Sequence, residues 1–598
     1  MKPLPYTVLM PRARLPYLLI PLAALIAIAP LLLNGCSCGH DFDFHLLNWF
    51  EAAHQFAHGN LHPHWAYTAA FNAGEPRFVF YPPLSWTIGA ILGLLFPWPW
   101  TPILYTWLAL TAAGLALHRL ARDFATPNAA LLAAIFYTVN PYLLFTAYER
   151  TAYAELLAAA WIPLLLYAIL RPRVTIPRIA IPLALLWLTN APAAVMSSYT
   201  LALLTVIRLI TYPRNTHEAT LPQSRLSLAR NTLAGTALGL TLPAFYLIPA
   251  AYQRRYVQIK MAILEGLRIQ DNFLFHHLPG HTPDDLAHDT VLHTASLIAL
   301  LLLTFTTITL ILIAVRPTKP GCPISGGSTP GVGLLLPPSP STPKFNPALL
   351  PLAILTATIA FLLTPLSAPI WKHAPELVFL QFPWRLLAIL TATLSLTLAT
   401  ALSRFTLRPT RTSIIALIAA AALTLPAYKA FHQPCDPEDT VAARLTLFHS
   451  NQGSEPTDEY TPLTADNDAL THTNPPYWLA PSPTAKAPTA ATPGPAPTHL
   501  TLTPTEPTNL ILNLRDYPTW TITSTDSNSQ HLNHPPHLPR ADGLIAIPLY
   551  YAAEYTIEIT QTRPLDQTLG NLLSATALAL LTLILTLKRP NEKLTTSN

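Results

Sequence analysis

The chain has 598 residues, of which 51% are hydrophobic and only 11% charged, with a mean hydropathy of +0.35. That balance excludes a soluble or disordered protein and describes a polytopic membrane protein. The net charge of +5 is carried by Lys and Arg gathered at the ends of apolar segments, a positive-inside pattern. No basic tract interleaved with aromatics appears, which excludes a nucleic-acid footprint.

Residues 15–33 (LPYLLIPLAALIAIAPLLL) are long enough to cross a bilayer. Leu33-Asn34-Gly35-Cys36 resembles a lipoprotein cleavage box, but the apolar stretch is long for a signal core and reads as an uncleaved first helix. With Lys2, Arg12 and Arg14 inside, residues 34–100 fall outside. The stretch 84–100 is short for a span and ends in Pro97-Trp98-Pro99-Trp100, so it reads as interfacial or re-entrant. If it crossed, Arg119 and Arg122 would lie outside, against the charge rule. Spans follow near 101–117, 129–146 and 155–170. Residues 179–207, bounded by Arg178 and Arg208, read as two short crossings meeting at Asn190-Ala191-Pro192. Further spans fall near 231–250, 291–315, 346–369, 383–402 and 412–430, and a last one at 568–587 runs into Lys588-Arg589. The expected fold is an all-α polytopic membrane protein of about 12 transmembrane helices, both termini cytoplasmic, with a small extracytoplasmic β-domain near the C-terminus.

Residues 1–430 form the expected membrane domain, with the outer loop 34–100 and a Gly/Pro/Ser-rich cytoplasmic linker at 317–345. Residues 431–566 form the one sizeable polar region. Its first part reads as mostly loop. From about 498, period-two alternation at 499–503, 510–514, 520–523, 544–549 and 555–559 predicts short antiparallel strands. Residues 567–598 supply the final span and a tail. Four cysteines are too few for a disulfide scaffold. Cys36 and Cys38 sit at the outer end of the first span and Cys435 in the outer C-terminal region, which leaves a bridge from either to Cys435 open.

The chemistry-bearing residues gather in the outer segments. Asp41 and His45 are four apart, so on a juxtamembrane helix they share a face and Asp43 points elsewhere. An extended Asp41-Phe42-Asp43 would instead put both carboxylates on one side. A carboxylate at that boundary suits a general base or an oxygen ligand to a divalent cation, Mg or Mn, held by Asp41 and Asp43. A solvated helix end with a capping acid is the plainer alternative. His54 and His58 have the spacing of a zinc pair but no third ligand on that face. Arg77 and Tyr81 follow in the same loop. In the second outer loop Arg150 suits a phosphate and Glu155 can orient it; an ordinary boundary ion pair is equally open. Arg254 belongs to a cationic loop at 251–290, and Arg385 opens an outside-to-inside span beside aromatics.

The ordered set His40-Asp41…His45, then Arg77-Phe78-Val79-Phe80-Tyr81-Pro82-Pro83-Leu84, then Asn140-Pro141-Tyr142…Arg150…Glu155, then Gln381-Phe382-Pro383-Trp384-Arg385 resembles bacterial multispan proteins labelled "6-pyruvoyl-tetrahydropterin synthase-related". These are similar in turn to the GT-C glycosyltransferase superfamily. Asp516-Tyr517-Pro518-Thr519-Trp520 resembles the "YPGW" element of related outer β-domains, with Thr519 where glycine is usual. Thr189-Asn190 stands where a His-Asn pair is expected.

The resemblance implies an inverting sugar transfer from a polyprenyl-phosphate-linked donor, at the outer face of the bacterial cytoplasmic membrane, in cell-envelope glycan assembly. It makes Asp41 the catalytic or metal-binding carboxylate, with Asp43 as its understudy and His45 beside them. Arg150 and Arg385 become the groups that meet the leaving lipid phosphate, with Arg77, Tyr81, Glu155 and Arg254 as further substrate-binding residues. Membrane lipids and the lipid-linked donor are the expected partners. The rival reading is a transporter, flippase or non-catalytic accessory protein for lipid-linked glycans that uses the same charges for binding alone.

Overall fold

A computed structural model describes residues 14–212, 223–280, 282–315, 348–488, 491–526, 531–533 and 535–587. The expected linker at 317–345, the N-terminal Lys2 and Arg12, and the basic tail from Lys588 lie outside the described residues. Among the described residues nine helices are long and apolar enough to cross a membrane. Two bent pairs, Arg225–Thr241 with Ala244–Tyr256 (70°) and Leu349–Leu362 with Pro365–His373 (94°), bring the number to 11 if each is one span. The expected total of about 12 is reached if one of the two short apolar helices, Pro83–Leu95 or Ile176–Thr189, also crosses.

The breaks between helices have local causes. Asn190 adopts an extended backbone and its side chain accepts from the Ala193 amide at 2.9 Å, which ends Ile176–Thr189 and caps Ala191–Ile210. Pro192 then occupies the first turn, where no amide is needed. Pro243 and Pro365 stand at the two sharp bends. Residues 84–95 form the short helix Pro83–Leu95, and Trp98–Trp100 is a single turn that leads directly into Thr101–Ala121.

The alternation of helix direction is visible in the polar contacts at the two ends. At one end Arg119 and Arg171 share Asp123, Arg208 donates to the Ile169 and Pro172 carbonyls, and Arg404 donates to Leu312 and Ile313. The opposite end carries the Cys38–Cys435 disulfide. The periphery is apolar outward: Phe305, Ile308 and Ile311 on Pro283–Val315, and Leu572, Leu578 and Leu583 on Leu565–Leu587, are exposed. A face of that kind belongs against lipid tails.

Above the membrane helices, seven strands among the described residues form two antiparallel sheets. One has the order β1-β3-β6 (Tyr477–Ala480, Thr508–Arg515, Leu544–Leu549). The other has the order β2-β7-β4-β5 (His499–Leu502, Tyr555–Gln561, Trp520–Asp526, His531–Asn533). Leu500, Leu510, Leu512, Ile522, Ile547 and Ile557 from both sheets share one apolar core, so the unit is a small sandwich. All five segments with period-two alternation are strands; β1 and β5 are additional. β1 is four residues long between Pro476 and Pro481, too short for alternation to register. The expected "YPGW"-like turn forms with threonine in place, since Trp520 donates to the Tyr517 carbonyl and Thr519 is not among the residues with positive φ.

The sandwich rests on the loop between residues 58 and 76. Arg515 donates from its amide to the Ala73 carbonyl, Asn513 Nδ2 to the Phe71 carbonyl, and the Trp65 ring meets Tyr517 and Trp520. Tyr517 Oη donates to Gln253 Oε1 at 2.9 Å, and Gln253 in turn donates to Asp566 at 2.7 Å. That chain ties the sandwich to the bent helix pair and to the start of the last helix.

Candidate functional site

The helix Phe42–Ala57 follows the first span almost at once, and Asp41 stands at its N-cap. The segment before it is pinned against the loop at residues 149–152. His40 and Asp41 donate from their amides to the carbonyls of Glu149 and Arg150 at 3.3 and 2.9 Å. Gly39 permits this approach, because a Cβ there would lie 2.1 Å from the Glu149 carbonyl oxygen. Sequence neighbours of the first span are thereby joined to a loop more than a hundred residues away.

Arg150 and Glu155 are buried together, with Nη1 donating to Oε2 at 2.7 Å. Tyr142 donates to the other carboxylate oxygen at 2.5 Å, so both acceptor atoms of Glu155 are used. Arg385 Nε lies 3.5 Å from the same Oε2, while its Nη1 donates to the Leu380 carbonyl and to Gln381 Oε1. One carboxylate therefore holds two guanidinium groups side by side, and Asp41 supplies the second negative charge beside them. Asp41 Oδ2 is 3.9 Å from Arg150 Nη2 and its side chain is 44% exposed, so its oxygens stay open to a ligand. Burial opposes the Arg150 charge, but Glu155 and Asp41 outweigh it and raise the guanidinium pKa. The rings of Trp384 and Phe382 cover Arg150 and Arg385.

These groups line a cavity of about 650 Å³. Of the residues expected from the sequence, Asp41, His45, Tyr81, Arg150, Glu155, Arg254 and Arg385 all contribute to its wall; Asp43 and Arg77 do not. His45 is 2% exposed among Phe44, Tyr81 and Tyr153, and burial lowers its pKa to about 4, which leaves a neutral imidazole. Arg254 pairs with Glu376 at 3.0 Å farther along the wall.

Asp43 does not share a site with Asp41. Two residues along a helix are separated by about 200°, and Asp43 instead pairs with Arg444, itself bound to Asp439. The expected two-carboxylate cation site is therefore not assembled. Arg77 is likewise internal to the scaffold, with Nε on Glu75 at 2.7 Å, Nη1 on Asn48 and Nη2 on Thr457. The His54 and His58 rings lie 4.4 Å apart, tilted by 43°, and among the described residues they join no group of metal-ligand geometry; the cluster of Cys36, Cys38 and Cys435 has two of its sulfurs tied up in the disulfide.

Several wall residues were not expected: Trp187, Tyr246, Glu376, Glu459 and Tyr460. Glu459 and Tyr460 come from the proline-rich stretch after residue 431, where no periodic pattern points inward. Backbone strain marks the same region. Thr151, Glu376 and Gln381 have φ of 46°, 60° and 62°, unfavourable for residues with a Cβ. Each neighbours or pairs with a wall arginine, and strain of that sort concentrates where side chains must be aimed.

No family model and no curated protein sequence matches the chain, so the pterin-synthase-related resemblance stands without a matching family. Among solved structures it is similar to the arabinofuranosyltransferase AftD from Mycobacteria, seen as the unmodified protein and as a mutant. Identities are 17% and 16%, with TM-scores of 0.40 and 0.41, over 71% of this chain. The chain spans 27% and 28% of those two chains, and likeness at that level establishes neither fold nor activity here.

Proposed function

We propose that this is a GT-C-type glycosyltransferase that moves a sugar from a polyprenyl-phosphate-linked donor to a hydroxyl acceptor, at the outer face of the bacterial cytoplasmic membrane, in cell-envelope glycan assembly. One observation carries the reading: Asp41, Arg150 and Arg385, from three separate parts of the chain, open on one cavity at the loop-bearing end of the helices. Asp41 takes the proton from the acceptor hydroxyl. The acceptor oxygen bonds to the sugar C1 as the C1–O bond to phosphate breaks, with inversion, and the electron pair leaves on the polyprenyl phosphate. Arg385 and Arg150 meet that developing charge from a site already fixed by Glu155.

The Cys38–Cys435 disulfide supports an outer location for this end, because disulfides persist in oxidising compartments. Asp43 is paired with Arg444 and does not line the cavity, so this reading gives Asp41 the role of base and shares no cation between the two carboxylates. The transport reading calls for ionisable groups near the middle of the spans. The wall here is made by helix ends and outer loops, which favours chemistry at one face.

The test uses the full-length protein in liposomes, with radiolabelled polyprenyl-phosphate sugars and envelope glycan as acceptor. The wild type releases polyprenyl phosphate and labels the acceptor. Asp41→Asn loses transfer by about 10²–10⁴-fold with an unchanged Tm. No transfer from any donor, or full activity in Asp41→Asn, overturns the proposal.

A further inference from the structure

The cavity has a second pole, chemically unlike the first. There Phe80, Tyr81, Tyr246, Glu459 and Tyr460 form the wall. The Phe80 and Tyr460 rings lie parallel within 6°, 5.6 Å apart, and Tyr246 Oη donates to the Phe80 carbonyl at 2.7 Å, so the aromatic faces are fixed. Tyr81 belongs to both groups of residues, with Asp41, Arg385 and Tyr246 all in its electrostatic reach. Tyr460 in turn is reached by Glu459, Tyr81 and Tyr246.

Glu459 differs from every other acid of the cavity. Asp41 faces Arg150, Glu155 holds Arg150 and Arg385, and Glu376 holds Arg254. Among the described residues Glu459 forms no ion pair, although it lines the wall. Burial and the nearby Glu75 push its carboxyl above the usual range. With no cation paired to it to meet a phosphate, its oxygens suit hydroxyls, which donate to them. Flat aromatic faces beside it suit the C–H faces of a sugar ring, the usual division of labour in a pocket that orients a ligand with few polar groups.

We propose that Glu459, framed by Phe80, Tyr81, Tyr246 and Tyr460, is a subsite for a neutral sugar ring of the acceptor glycan. It holds adjacent hydroxyls while the donor phosphate is directed to the arginine pole. The acceptor role rests on the transferase reading, whereas sugar binding itself does not.

The experiment measures binding of short neutral gluco-, galacto- and manno-oligosaccharides to the full-length protein in nanodiscs without donor, by saturation-transfer NMR and titration. The wild type binds at least one series. Glu459→Ala weakens it about tenfold or more, as expected when a buried hydrogen-bond partner is lost, and Asp41→Asn keeps it. Polyprenyl-phosphate sugar binds equally well to the wild type and Glu459→Ala. No binding of any series to the wild type, or equal binding by Glu459→Ala, overturns the subsite. A wild type that binds the oligosaccharides yet transfers nothing removes the transferase reading and leaves the sugar subsite in place.

Discussion

Asp41 and Arg150 meet twice: the Asp41 amide donates to the Arg150 carbonyl at 2.9 Å, and Arg150 Nη2 lies 3.9 Å from Asp41 Oδ2. The backbone bond sets the distance at which carboxylate and guanidinium face the cavity. Gly39 makes it possible, and a methyl group there has to displace the Glu149 carbonyl. Gly39→Ala is expected to shift Asp41 relative to Arg150 and lower transfer by up to about 10²-fold, the cost typical of a misplacement near 1 Å. Steady-state kinetics in liposomes check this, with the protein still inserted and folded.

Glu155 is the carboxylate on which both guanidinium groups depend. Glu155→Ala leaves Arg150 and Arg385 buried side by side with only the half-exposed Asp41 as counter-charge, and loss of one partner of a buried pair costs about 3–5 kcal/mol. A large drop in Tm in detergent is the expected outcome. Glu155→Gln keeps the acceptor for Arg150 and is expected to fall between that variant and the wild type. A Glu155→Ala variant as stable as the wild type would show that the pair is solvated and not buried.

Much of this was legible in the sequence because it follows from local periodicity. The break at Asn190, the short helix after Tyr81 and the alternating strands are each written in runs of a few residues. Asp41 and His45 sharing a face follows from helical spacing alone, and the same spacing sends Asp43 to Arg444. What was not legible depends on long-range pairing. Arg77 looks like a ligand-binding arginine until Glu75, Asn48 and Thr457 are seen to consume its donors. Glu459 lies in a stretch without pattern, and only the docking of the C-terminal region against the segment around Glu75 and Arg77 carries it to the cavity.

Because Arg77 joins that docking surface, its replacement should act on assembly and leave ligand binding alone. Thr457 accepts from Arg77 and donates from its amide to Glu75 at 3.0 Å, so the three residues clamp the loop that carries Glu75 and Arg77 to the segment before the sandwich. Arg77→Met is expected to lower stability by several kcal/mol, as for other buried charge pairs broken on one side. It should also expose residues 450–470 to proteolysis, with the donor KM of the surviving folded fraction unchanged. A raised donor KM with normal proteolytic resistance would return Arg77 to the binding site.

His45 makes stability depend on pH. Its folded-state pKa of about 4 lies below the ordinary 6.5 because burial disfavours the imidazolium. Between those two values the unfolded chain binds the extra proton and the folded chain does not. The contribution of neutral His45 is therefore fully present above pH 6.5 and is lost as the pH falls toward 4. It amounts to on the order of 3 kcal/mol. The Tm should fall across that window in the wild type and fall less in His45→Phe, which cannot take up the proton. Equal slopes in both proteins would mean that carboxylates alone set the acid limit.

The three sulfurs of Cys36, Cys38 and Cys435 lie within 4.8 Å of one another, with Cys38 and Cys435 bonded and Cys36 free. Burial raises the Cys36 thiol pKa, so little thiolate is present at neutral pH and its reaction with maleimides should be slow. In cells carrying Cys322→Ser, a membrane-impermeant maleimide added from outside should label Cys36 slowly and leave the bonded pair untouched. After dithiothreitol, Cys38 and Cys435 should label as well. Loss of the bridge in a Cys38→Ser, Cys435→Ser double variant should cost about 2–4 kcal/mol and loosen the segment that delivers Asp41. Labelling only after the membrane is permeabilised would place this end of the helices in the cytoplasm and remove the outer-face assignment.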